Sequence, residues 1–166
     1  MNVHIIQARE LPKINVDVEK TKAMLTKLEM LFAKILTEKQ CIPSLVDVVE
    51  ISLSAVSADE IRDINRTYRD IDAPTDILSF PLWENQYGDF TPPDDWKVLP
   101  LGDLIISISE INKNAEINYK TKEEELVLII SHGLLHLIGR DHDTEEKEAS
   151  MWQEQNEIVN RYFAEK

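Results

Sequence analysis

The sequence predicts an α+β fold: one domain over residues 1–166, with a small mixed β-sheet and helices packed around it. Three observations predict it. Segments in which apolar residues alternate are interspersed with segments in which they recur every three or four residues. No internal repeat or Gly/Ser linker divides the chain, and its four glycines are scattered. At 166 residues a core can form without disulfides or a structural metal, so a bound metal is expected to serve function.

The elements follow in order. Val3 to Ile6 is a short apolar strand. Val18 to Lys39 is a helix whose Met24, Leu25, Leu28, Leu31, Phe32, Ile35 and Leu36 form one buried stripe. "VVEISLSAV" alternates through Val49, Ile51, Leu53 and Ala55 and reads as a half-buried strand. Ser57 and Glu60 have capping-box spacing and open a helix that runs to Tyr68 or Arg69, with Ile61, Ile64 and Tyr68 on its buried face. Pro74 prevents its continuation, and "TDILSFPL" is a strand that Pro81 keeps from extending in a central position. Trp83 to Pro100, rich in proline and aromatics, reads as a long loop with room for a small hairpin.

"LGDLIISIS" is an apolar strand followed by a short helix. Thr121 and Glu124 make a second capping box ahead of "EELVLIISHGLLHLI", which is apolar nearly all round and therefore belongs at the centre of the domain. Asp143 with Glu146 is expected to open the last helix, whose Met151, Trp152, Gln155, Ile158, Val159, Tyr162 and Phe163 pack one face.

Composition narrows the class. With 43% hydrophobic and 30% charged residues the chain is not disordered. Cys41 is the sole cysteine, which excludes an intramolecular disulfide and a four-thiolate metal site and fits a reducing cytoplasm. The first residues lack a secretory pattern, and no run of about 18 apolar residues occurs, so neither export nor a membrane partner is expected. A net charge of -13 repels polyanions, which counts against a general nucleic-acid binder. Any nucleic-acid role needs a local basic patch.

Three of the four histidines lie in "SHGLLHLIGRDHD", Ser131 to Asp143. His132 and His136 are four apart, on one face of a helix. Gly139 can end that helix in a left-handed conformation, and His142 can then return as a third ligand. The spacing is that of the metzincin metalloproteases, and three neutral imidazoles suit zinc with one coordination position open. The general-base glutamate of those proteases is missing, since Gly133 follows the first histidine. That glycine either opens space beside the metal or lets another element pack closely. Asp141 and Asp143, flanking His142, are candidate partners for an imidazole or proton acceptors, with Asp143 read first as the cap of the last helix.

Arg62, Arg66 and Arg69 form a stripe on the second helix, beside Asp59, Asp63 and Asp70. Ion pairing accounts for Arg62 and Arg66, and Arg69, at the helix end, is the functional candidate. Asp76, Ser79 and Asp103 fit either orientation of cleft loops or hydrogen bonding at strand ends.

Three blocks, "HGLLHLIGRDH", "YRDIDAPTDILSFP" and "LGDLIIS", resemble the YbeY family of bacterial metal-dependent rRNA maturation factors described as endoribonucleases. The likeness covers roughly residues 50 to 160 and departs at Arg140, where the family commonly has tyrosine, and in the long Trp83 to Pro100 segment. It implies one zinc ion per chain on His132, His136 and His142, with Arg69 facing the metal cleft. Arg69 and His132 are then the expected catalytic residues of a single-strand-specific endoribonuclease. Its expected substrate is ribosomal RNA, in small-subunit 3′-end maturation and ribosome quality control. A ribosomal protein or an assembly GTPase is a further candidate partner. Two other readings fit the same residues: a non-catalytic assembly factor whose acidic surface binds a ribosomal protein, and a zinc hydrolase of another substrate.

Overall fold

The structure is a computed structural model that describes residues 1–9 and 18–164. Its strands are β1 (Asn2–Arg9), β2 (Val48–Val56), β3 (Ile77–Pro81) and β4 (Val98–Ser107); its helices are α1 (Val18–Glu38), α2 (Ala58–Arg69), α3 (Ile108–Ile117), α4 (Lys122–Leu137) and α5 (Glu145–Ala164). One mixed sheet of order β1-β2-β4-β3 carries the fold, as the alternating patterns predict. β1, β2 and β4 run parallel, and β3 pairs antiparallel with β4 at the far edge. Parallel neighbours cannot be joined by a tight turn, which is why α1 stands between β1 and β2.

Alternation in β2 buries Val49, Ile51, Leu53 and Ala55 and leaves the residues between them half-exposed. Leu28, Phe32 and Ile35 of α1 meet them in one core with Leu101, Leu104 and Ile106 of β4 and Val127, Ile130 and Leu134 of α4. α4 packs against α5, β3 and α3, and so occupies the central position its all-round apolar sequence requires. No helix among the described residues is long and apolar enough to cross a membrane.

Prolines bear on two strands, at the end of one and inside the other. Pro81 ends β3, an edge strand, where a missing N–H is tolerated. Pro100 lies within central β4, which begins at Val98 rather than after the proline-rich segment; it is accommodated where the register shifts between Glu50↔Pro100 and Ile51↔Gly102. The remaining Trp83 to Lys97 loop contains the small hairpin, a single bridge between Glu84 and Phe90. β4 ends at Ser107, two residues earlier than the apolar run suggests, because Ile108 already opens α3.

Helix ends follow the capping chemistry with one correction. The Thr121 box on α4 is complete, with Glu124 N–H donating to Thr121 Oγ1 at 3.1 Å. Ser57 accepts from Glu60 N–H at 3.1 Å, while the Glu60 carboxylate turns outward to Arg9 at 2.6 Å. At α5 the cap is Thr144, which accepts from Lys147 N–H at 3.2 Å; Asp143 instead pairs with Lys147 Nζ at 3.2 Å. Two apolar faces are also narrower than their periodicity suggests. Trp152 and Phe163 of α5 are exposed, and Tyr68 of α2 is 70% exposed with its ring edge-on to Phe80. Asn65 takes the buried place beside Ile61, its Nδ2 donating to the Ala73 carbonyl at 3.0 Å.

Candidate metal centre

α4 places His132 and His136 one turn apart, and the chain then reverses at Gly139, whose φ of +86° is left-handed. A Cβ there would also lie 2.9 Å from Phe90 Cβ, so glycine serves both the turn and the close approach of the Trp83 to Lys97 loop. After this turn His142 comes back onto the helix face. One ligand nitrogen from each of the three imidazoles lies within 4.8 Å of the others, and His132 Nε2 and His136 Nε2 are 3.0 Å apart. The expected convergence is therefore present.

Buried Gln155 of α5 decides which nitrogen of His132 faces the cleft. Its Oε1 accepts from His132 Nδ1–H at 2.8 Å, so the neutral ring carries its lone pair on Nε2, towards His136. This partner is not one of the flanking aspartates. Asp141 accepts from the backbone N–H of His142 at 2.8 Å, and Asp143 is held by Lys147, so among the described residues neither carboxylate is hydrogen-bonded to an imidazole. In the sequence Gln155 is one more position on the apolar face of α5; its signal was a polar residue between Met151 and Ile158.

Electrostatics favour the ligand form. Burial, then the neighbouring His132 and His142, push His136 down to about 4 from 6.5, and burial also lowers His132 despite the Gln155 bond. Both are thus neutral at pH 7, as metal ligation requires. Three imidazoles with converging ring nitrogens, one of them held by Gln155 and none paired to a lysine or arginine among the described residues, fit a divalent transition-metal ion.

Two predictions arise here. Gln155→Leu is expected to weaken metal binding about 10- to 100-fold, measured by competition with a chromophoric chelator, while the fold persists. The second concerns pH. His136 titrates lower in the folded chain than its unfolded 6.5, so the unfolded state binds the extra proton between those values. Stability is then complete above 6.5 and is lost as pH falls towards 4. Chelator-treated protein should denature at lower urea concentration at pH 5 than at pH 7, with a smaller gap in His136→Gln.

The trio lies in a cleft of about 520 Å³ that Arg69, Asp76, Ser79 and Glu125 also line. Arg69 reaches in from the end of α2, and its guanidinium donates to the Ser79 carbonyl of β3 at 3.2 Å. The other two arginines of its helix are spent on ion pairs: Arg62 with Asp72 at 2.8 Å, and Arg66 with Asp63 at 2.9 Å. Asp72 thus replaces the Asp59 and Asp70 expected from the stripe. Asp76 accepts from Ile77 N–H at 2.8 Å and from Asn114 Nδ2 at 3.2 Å, tying the turn before β3 to α3, so it orients the cleft wall. Asp103 is exposed on β4 and does not line the cleft.

Gly133 resolves in favour of close packing. A Cβ on it would lie 2.7 Å from Ile77 Cδ1 and 2.8 Å from Leu104 Cδ2, so the sheet rests directly on α4 where a zinc protease carries its glutamate. Arg140, another departure, bonds Glu154 at 3.0 Å and contacts Cys41 Sγ at 3.7 Å, linking the ligand loop to α5 and to the end of α1.

Comparisons with known proteins agree with this geometry. The family model described as Endoribonuclease YbeY matches residues 13–163. Among curated proteins, the chain is 36% identical over 152 residues to an Endoribonuclease YbeY of Thermoanaerobacter sp., covering 89% of this chain and 96% of the relative. It is 38% identical over 147 residues to that of Halalkalibacterium halodurans, covering 87% and 92%. Among solved structures, the solution structure of a Thermotoga maritima protein superposes with a TM-score of 0.61 at 26% identity, covering 98% of this chain and 91% of that one. With the three histidines converged in a cleft and the match running nearly end to end, the chain belongs to the YbeY family.

Proposed function

We propose that the protein is a zinc-dependent endoribonuclease of the cytoplasm that cleaves single-stranded ribosomal RNA, in small-subunit 3′-end maturation and ribosome quality control. The observation that carries this reading is the convergence of His132, His136 and His142 in a cleft shared with Arg69, in a chain of this family. The three histidines are the ligands, and one zinc ion per chain, when bound, supplies Lewis-acid polarisation of a phosphodiester oxygen. Gln155 holds the His132 ring so that Nε2 points inward. Arg69 is the catalytic cation: its guanidinium has a single neutral partner among the described residues, and so retains donors for a phosphate whose charge grows in the transition state. Absence of a glutamate at 133 separates this chemistry from peptide hydrolysis.

A net charge of -13 confines RNA to that cleft and favours a basic partner, such as a ribosomal protein, or an assembly GTPase, to bring the chain to the ribosome. The test is cleavage of a small-subunit RNA precursor by wild type, His132→Ala and Arg69→Ala, purified identically. His132→Ala should leave the precursor intact, and Arg69→Ala should lower kcat about 10²- to 10³-fold. Equal cleavage by all three would trace the activity to a contaminant and end the reading.

A further inference from the structure

We infer that Glu125 is the base-reading residue of the RNA cleft, accepting hydrogen bonds from the amino and imino N–H groups of a nucleobase, with guanine favoured and uracil rejected. The inference rests on the endoribonuclease reading of the same site. Glu125 lines the cleft with the histidines, yet it is only 2% exposed, and its Oε2 is buried with no hydrogen-bond partner. No described cation pairs with it. It lies in the first turn of α4, where free N–H groups favour negative charge.

A buried carboxylate left without partners costs folding free energy, so its place in a ligand cleft calls for a ligand that supplies donors. RNA supplies them only through its bases and ribose hydroxyls, since phosphates repel a carboxylate. The spacing suits a base. Glu125 and His132 are seven residues, two turns, apart on one face of α4, about 10 Å along the axis, which separates the phosphate at the histidines from the base of its own or the adjoining nucleotide. Arg69 and the histidines then mark the phosphate side of the cleft and Glu125 its base side.

The chemistry of the acceptor selects among bases. A carboxylate accepts and never donates, so two neighbouring N–H groups satisfy it best, and guanine presents N1–H and N2–H side by side on its Watson–Crick edge. Adenine and cytosine offer one amino group each. Uracil offers N3–H between two carbonyl oxygens that the carboxylate repels. The terminal torsion of glutamate is soft, so the group can turn to a base entering the cleft.

The experiment uses the zinc-loaded full chain, four uridine oligoribonucleotides that differ only by G, A, C or U at the central position, and two readouts, Kd by fluorescence anisotropy and the cleavage rate at that position. Wild type should prefer the G-containing RNA over the all-uridine RNA by about tenfold or more. In Glu125→Gln, which keeps the volume but adds a donor, the G-to-U ratio should fall to within about twofold, and the thermal midpoint should equal or exceed that of wild type because the buried Oε2 has no hydrogen bond to lose. Equal affinities across the four RNAs in wild type, an unchanged ratio in Glu125→Gln, or a lowered midpoint, which would reveal a structural partner, overturns the inference. Selective binding without cleavage would sink the nuclease reading and leave base reading standing.

Discussion

His136→Ala is expected to abolish stoichiometric zinc binding and to reduce cleavage of a small-subunit RNA precursor by more than about 10²-fold. Its Nε2 lies 3.0 Å from that of His132 at the middle of the trio, so its loss leaves only one imidazole on α4 and His142 on an exposed loop. Removing a ligand must exceed the roughly 10- to 100-fold effect of removing a partner one shell further out. The fold should survive, because neither His136 nor its ring neighbours belong to the hydrophobic core. Elemental analysis of the purified variant and circular dichroism read the two halves of this expectation. In cells lacking the native copy the same variant separates enzyme from scaffold: normal growth and normal rRNA 3′ ends would mean that the acidic surface, not the cleft, carries the biological role.

Gly133→Glu, which restores the glutamate of a zinc protease, should fail to fold instead of gaining peptidase activity. The Cβ alone would press on Ile77 Cδ1 and Leu104 Cδ2 at 2.7 and 2.8 Å, an overpacking that costs about 1–3 kcal/mol. Beyond the Cβ the carboxylate would be driven between α4 and the sheet, at several kcal/mol more. Together these approach the total stability of a domain of this size, about 5–15 kcal/mol. A thermal midpoint lowered by more than about 10 °C, or insoluble expression, is the expected result. Gly133→Ala bears only the first cost, partly offset by about 1 kcal/mol of helix propensity, and should stay folded. A soluble Gly133→Glu protein with an unchanged midpoint would show that the sheet yields there more readily than its packing implies.

These two residues also show what could be read from the chain alone. The spacing of His132, His136, Gly139 and His142 is local, set by helix period and one left-handed turn, so the convergence was legible before any coordinates. The α1 stripe, the β2 alternation and the Thr121 box were legible for the same reason. What packs on Gly133 was not, because Ile77 and Leu104 arrive from strands distant in sequence. Gln155 and Glu125 share that difficulty: each is a polar residue on a largely apolar face, and only tertiary placement reveals that one bonds an imidazole and the other faces a cleft. Trp152 errs the other way, since helical periodicity puts it with Met151 although the cleft leaves it open to water. Pro100 misled about β4 because a bulge that tolerates proline in a central strand is a property of the pair, not of either sequence.

The core of α1, β2, β4 and α4 closes without drawing on any of the three imidazoles. Small zinc modules collapse when their ion is stripped away, whereas a core closed in this way is expected to form without one, so chelator-treated protein should keep its far-UV circular dichroism. On the proposed metal-dependent reading, starvation for the ion should then leave a folded, dormant pool that revives on resupply, without lowering how many molecules survive synthesis.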